Sequence, residues 1–300
     1  MSLEANNLPA RGKLRNLVPV RLVILILVLL AATVLATIVT RILVPPAPSP
    51  GHQWILIKSL LLPILLVWTY GRAVRLLERR EPREISLKRG APLFFLGGVV
   101  GIAIIGVYVL VLLGIGAAHL TKGTEAHGAL SFLNELLVPW LTAVGEELLF
   151  RLVLFRFTEE AMGTGLAVLI SALLFGLSHA ANPGASPGSL VLLAGGIGVL
   201  LTFAFTATRN VWLPIGLHMG WNYAEGCLFG LPNSGQTDPV QIMHTTPSGP
   251  AILTGGTFGP EGSLLLFALT LVVTTALLWL TLRRNQWQSL RLSLRAVSEA

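Results

Sequence analysis

Three ionisable side chains fall within six positions of an otherwise apolar stretch, Val144-Gly145-Glu146-Glu147-Leu148-Leu149-Phe150-Arg151. At mid-bilayer each ionised residue costs on the order of 2.5 to 3.5 kcal/mol on insertion scales, so a group of three implies a use for them. In a helix, Glu147 and Arg151 are four residues apart and share a face, with the carboxylate N-terminal to the cation, the favourable order for an ion pair. Glu146 sits about 100° round the helix from Glu147 and about 140° from Arg151, too far to share that cation. A carboxylate left unpaired and partly desolvated has the chemistry of a general base.

Two later apolar stretches carry further polar groups. One reads Phe175-Gly176-Leu177-Ser178-His179 and breaks at Asn182-Pro183-Gly184, so His179 ends a helix. The other places His218 and Asn222 four apart on one face, with Glu225 seven beyond His218. Each has a plain structural reading: His179 as a helix cap, His218 with Asn222 as interhelical hydrogen bonding, Glu147 with Arg151 as a structural ion pair, Glu225 as an outer-end residue reaching water, Phe175 as packing. Taken together they read differently. Glu146, His179, His218 and Asn222 come from three separate apolar stretches, and the inexpensive arrangement is that all face one polar cavity rather than lipid.

In that order, Glu146-Glu147-x-x-x-Arg151, Phe175-x-x-x-His179 and His218-x-x-x-Asn222 resemble the three motifs of the CAAX-protease and bacteriocin-processing family of intramembrane proteases, also called the Abi family. The resemblance covers roughly residues 132–231, about a third of the chain. It implies an endopeptidase in which Glu146 and His179 activate a water, His218 and Asn222 hydrogen-bond the developing oxyanion, and Glu147, Arg151 and Phe175 support them. That division suits the chemistry, since a base must be free to take a proton and an oxyanion hole needs fixed donors in a water-poor site. No cofactor is required. The family is also described as metal-dependent, and Glu146, His179 and His218 make a two-His, one-carboxylate set of the kind that binds catalytic zinc. The competing readings are a proton- or ion-coupled transporter and a non-catalytic peptide-binding or immunity protein. Asn222 separates them, because a proton relay has no use for an amide that does not titrate.

The elements that must position these groups are membrane helices. With 53% hydrophobic and 12% charged residues and a mean hydropathy of +0.75, the chain is far from the roughly 25% charged composition of a soluble domain. The expected fold is an all-α, polytopic bundle of about eight transmembrane helices, near Leu22–Thr40, Trp54–Tyr70, Pro92–Ala117, Leu130–Phe157, Leu166–Ala180, Leu190–Thr208, Leu213–Gly230 and Ser263–Leu282. Residues 1–20 form a basic lead-in, 21–120 an N-terminal membrane region, 130–232 the protease-like core, and 233–300 an outer loop, a last span and a tail. All but four of the 21 Lys and Arg (Arg41, Lys58, Lys122 and Arg151) fall on one side of this topology. The positive-inside rule makes that side cytoplasmic, with both termini on it. The net charge of +7 therefore reports topology, and a nucleic-acid partner is not expected. Membrane lipids and a peptide or protein substrate, lipid-modified or not, are the expected partners. Cys227, the single cysteine, permits no internal disulfide and no cysteine metal site.

One tension remains. His179 stands at the far end of its helix, whereas His218 is only about one and a half turns into its own, a depth difference of about 12 Å if both helices start level. The helix of His179 should therefore begin lower, near Met162, and residues 182–188 should continue as irregular backbone in the wall of the site. Glu146, His179, His218 and Asn222 are then expected to converge within about 5 to 7 Å, the reach of one bridging water.

Overall fold

The computed structural model describes residues 18–43, 52–124 and 129–290. The basic lead-in residues Arg11, Lys13 and Arg15, the proline-rich segment at 45–50, and Arg291 and Arg295 lie outside them. Each of the eight apolar stretches is helical. Helices α1 (Val18–Leu43), α2 (His52–Leu77) and α3 (Leu87–Gly114) come first. Helix α4 (Ala129–Glu147) passes into a π-helical segment, Leu148–Phe155, and then α5 (Arg156–Met162), and α6 spans Thr164–Leu177. Helix α7 (Pro187–Leu193) continues through a π segment, Ala194–Gly198, into α8 (Val199–Thr208). Helix α9 (Trp212–Tyr223) ends in a third π segment, Ala224–Leu228; α10 is short (Ala251–Thr254) and α11 covers Leu264–Arg283.

Five stretches, 18–42, 57–77, 87–114, 187–208 and 264–283, are long and apolar enough to cross a membrane. The chain is an all-α polytopic membrane protein. The stretches that carry Glu146, His179 and His218 are the other three, and they are short, charged or interrupted by π geometry. Helix α2 continues seven residues past Tyr70 because Arg72 and Arg75 end the apolar run without ending the helix. One small sheet adds to the helices: β1 (Ala118–Lys122) pairs antiparallel with β2 (Met243–Pro247), Ala118 opposite Pro247 and Lys122 opposite Met243.

Helices α3 and α9 run parallel in close contact, and glycine makes this possible. A Cβ on Gly216 would stand 2.0 Å from the carbonyl oxygen of Phe94, and one on Gly220 2.3 Å from that of Gly98. Gly97 and Gly101 face Leu213 and Leu217 in the same way, so each helix presents small residues four apart and the backbones interlock. This fixes the rotation and depth of the helix that carries His218 and Asn222. At its N-terminal end Trp212 stacks on Trp140 of α4, ring centroids 6.2 Å apart and planes 7° from parallel.

Candidate active site

The two ends of the bundle differ. At one, ion pairs join Arg156 to Glu78, Arg80 to Glu84, Arg209 to Glu159 and Arg21 to Glu160. Here α6 begins, its Thr164 amide bonded to the carbonyl of Gln288, and Arg284 donates to the carbonyl of Ala207. At the other end, the turn after α6 and the segment 231–262 pack together. Asn182 Nδ2 donates to Ser234 O (2.8 Å), the Ser234 hydroxyl bonds Glu261, and Asn233 Nδ2 reaches Asn222 O at 3.5 Å.

Between these ends lies a fully buried charge cluster. Arg151 Nη1 donates to Glu147 Oε1 (2.9 Å) and Arg151 Nη2 to Gly198 O (3.0 Å), with both Glu147 and Arg151 at 0% exposure. Glu147 Oε1 also meets His218 Nδ1 at 3.0 Å. A carboxylate accepts, so Nδ1 carries the proton, and the other ring nitrogen, Nε2, turns toward Glu146 Oε2, 3.9 Å away. That distance is too long for a hydrogen bond. Among the described residues, no hydrogen-bond partner reaches the buried Glu146 Oε2, and the same holds for Asn222 Oδ1.

His179 joins the group by another route. Its Nδ1 donates to the carbonyl of Phe175 (2.9 Å), which leaves Nε2 as the ring nitrogen outside that bond. No ion pair within 4.0 Å connects it to Glu146. The Phe175 ring does the connecting: its centroid is 5.1 Å from the His179 ring, 5.9 Å from the His218 ring and 4.8 Å from the Arg151 guanidinium carbon. Phe175 is thus the wall shared by both histidines and a cation–π partner for the arginine.

Segments of π geometry flank the helices that carry these groups. An i→i+5 ladder widens the helix and turns successive side chains by less than 100°, and such segments are rare outside functional sites. One follows Glu146-Glu147 directly, one begins two residues after Asn222, and the one at 194–198 offers its Gly198 carbonyl to both Arg151 and Thr202. The turn at 178–186 is irregular backbone, and α6 starts at Thr164, two residues from Met162. Glu225 differs from its expected water-facing position: it is fully buried, because the segment 231–262 folds over the end of α9 and Leu231 N bonds its carbonyl.

Among the described residues no group of three or more His, Cys, Asp or Glu side chains is gathered closely enough to hold a metal ion.

A polytopic helical membrane protein with a buried Glu–His–Arg cluster between a charged end and a looped end is the class that the fold and site define. Residues 128–224 match the family model described as Type II CAAX prenyl endopeptidase Rce1-like, so this segment is similar to the CAAX-protease family that the three motifs resemble. The match includes Glu146, Glu147, Arg151, Phe175, His179, His218 and Asn222. Neither the curated proteins nor the solved structures yield a match to this chain.

Proposed function

We propose that this protein is an intramembrane endopeptidase that hydrolyses a peptide bond with a water activated by Glu146 and His179. The observation that carries this reading is the split between the two adjacent glutamates. Glu147 accepts from Arg151 Nη1 and from His218 Nδ1 through Oε1, its buried Oε2 having no partner, whereas among the described residues no hydrogen bond reaches the buried Glu146 Oε2, which lies 3.9 Å from His218 Nε2. One carboxylate orients and the other is free to take a proton.

With His218 protonated, the charges of Glu146, Glu147, Arg151 and His218 sum to zero, so its Nε2–H is a donor that the cluster tolerates in a buried site. Together with the Asn222 amide one turn on, it supplies the donors an oxyanion needs. His179, whose Nδ1 is bonded to the Phe175 carbonyl, turns Nε2 to the attacking water and orients it. The proton taken by Glu146 then passes to the leaving amine. The substrate is a peptide or protein segment at the membrane, and the mechanism runs without a metal.

The test is peptide release by purified protein in detergent. Glu146→Gln is expected to abolish hydrolysis while leaving the folded yield near that of the parent, because it removes the base and lightens the burial cost. Turnover at the parental rate in that variant would exclude Glu146 as the base. Exhaustive chelation is expected to leave hydrolysis unchanged; a reversible loss restored by zinc would recast Glu146, His179 and His218 as ligands.

A further inference from the structure

We infer that the cavity at the basic end is a binding site for a phosphate group, supplied by the headgroup of an anionic phospholipid.

The cavity has a volume of about 720 Å³, within the range of small-ligand sites. It forms where five segments of the chain meet: the start of α1, the connection at 78–86, α5, the end of α8 and the tail after α11. Every segment but the tail brings arginine. Arg21, Arg80, Arg83, Arg156 and Arg209 line it together with Glu78, Glu84, Glu159 and Glu160, so the lining carries one positive charge in excess. None of Glu146, His179, His218 or Asn222 lines it, which makes it a separate site.

The pairing inside the cavity decides which donors are left for a ligand. All four carboxylates are committed: Glu78 accepts from Arg156 and Arg80, Glu84 from Arg80 and Tyr70, Glu159 from Arg209 and Thr164, and Glu160 from Arg21. Two guanidinium groups keep unused donors. Arg83 is exposed and, among the described residues, has no ion-pair partner; Arg21 Nε is buried and no acceptor reaches it among those residues. A buried donor left unmet is costly, and in a lining with surplus positive charge the group that satisfies it is an anion. Phosphate suits this geometry because its tetrahedral oxygens accept from several planar guanidinium forks at once.

What carries the phosphate follows from what adjoins the cavity. Gln288, one of its walls, is bonded to Thr164 in both directions: its carbonyl accepts from the Thr164 amide and its amide donates to the Thr164 hydroxyl (2.9 Å). Helix α6 rises from that point. Along it Leu166, Leu169, Leu173 and Leu177 recur at spacings of three, four and four, so they share one face, and each is at least 42% exposed. An apolar face that starts beside a cationic cavity is the surface an acyl chain covers when its headgroup is held in the cavity. At the same end Arg72, Arg79, Lys88 and Arg89 are exposed and, among the described residues, have no ion-pair partner; their field concentrates anionic lipid there.

The test is a titration of the purified protein in an uncharged detergent with dioleoylphosphatidylglycerol, dioleoylphosphatidylcholine or inorganic phosphate, read by native mass spectrometry and by the thermal midpoint. Phosphatidylglycerol is expected to bind saturably and raise the midpoint, and the other two to do neither at the same concentration. Arg83→Gln is expected to weaken phosphatidylglycerol binding about tenfold or more, since it removes an ionised donor. Its midpoint without lipid should stay at the parental value, because the side chain is exposed and unpaired. Lys88→Gln, exposed at the same end but outside the cavity lining, is expected to bind as the parent does. Equal binding of phosphatidylcholine would overturn the anionic headgroup, and equally tight binding of inorganic phosphate would overturn the lipid. Parental affinity in Arg83→Gln, or the same weakening in Lys88→Gln, would show diffuse surface attraction and overturn the site.

Discussion

Glu146 and Glu147 are neighbours in sequence with different environments, and their variants are expected to fail in different ways. Glu146→Gln removes a carboxylate whose buried oxygen, among the described residues, has no hydrogen-bond partner. Glu147→Gln leaves Arg151 as a buried cation and takes the partner from His218 Nδ1 as well, and removing one member of a buried pair costs about 3 to 5 kcal/mol. The expected result is a sharply reduced folded yield, read as the monodisperse fraction in detergent, with activity per folded molecule lowered too because the His218 ring loses its orientation. A Glu147→Gln protein as stable as the parent would show that the pair contributes little. The sequence made the Glu147–Arg151 pair legible from i,i+4 spacing alone. It could not show that Glu147 also touches His218, since that contact depends on how α4 and α9 are rotated against each other. Phe175 likewise reads as an ordinary packing residue at helical spacing, and only the tertiary arrangement gives it two histidines and an arginine as neighbours.

At the scale of elements, the apolar runs located every long helix, because a membrane chain must satisfy its backbone hydrogen bonds within each segment. Boundaries were less legible where charge ends the apolar run before the helix ends, as at Tyr70. The π segments left no trace in hydrophobic pattern, which distinguishes period 3.6 from period 2 but not an i→i+4 ladder from i→i+5. The small sheet was hidden for a related reason: five-residue strands in polar loops carry almost no periodic signal, and the pairing of 118–122 with 243–247 is remote in sequence. The glycine seam between α3 and α9 is visible as Gly97-x-x-x-Gly101 and Gly216-x-x-x-Gly220, although which helices it joins is not. It yields a prediction. Gly216→Ala puts a methyl group 2.0 Å from a backbone oxygen, where no side-chain rotation relieves it, so α9 must shift away from α3. Forced repacking of this kind costs about 1 to 3 kcal/mol, and a displacement of His218 by about 1 Å is enough to cost on the order of 100-fold in rate. Gly114→Ala, at the end of α3 with no atom within 4 Å, is the control expected to keep both stability and activity. Equal behaviour of the two variants in thermal unfolding and peptide release would mean that the seam does not set the site.

For the whole molecule, carboxylates of opposite electrostatic character sit at the two ends, and together they set how stability depends on pH. At the looped end, burial pushes the Asp238 and Glu261 carboxyls above their ordinary range. At the basic end, burial would push Glu78 and Glu84 up as well. Hydrogen bonds from Arg156 to Glu78, and from Arg80 and Tyr70 to Glu84, outweigh it and hold both below that range. Linkage fixes the signs. A carboxyl raised in the folded state destabilises when charged, so Asp238 and Glu261 return stability as pH falls from neutral through their folded pKa values. A depressed carboxyl contributes stability that is complete above its unfolded pKa, about 4.3 for Glu, and is lost as pH falls through the lower folded value. Thermal unfolding in detergent is therefore expected to show a midpoint that rises from pH 8 into the mildly acidic range and falls steeply below about pH 4. The two limbs belong to different ends and are separable. Asp238→Asn should flatten the rise and leave the acid fall intact. Glu78→Gln should lower the midpoint at neutral pH, since Arg156 and Arg80 each lose a partner, and should make the acid fall shallower. An acid limb with the parental slope in Glu78→Gln would place the acid-sensitive groups elsewhere and remove the ion-pair layer from its role in holding α2 against α5.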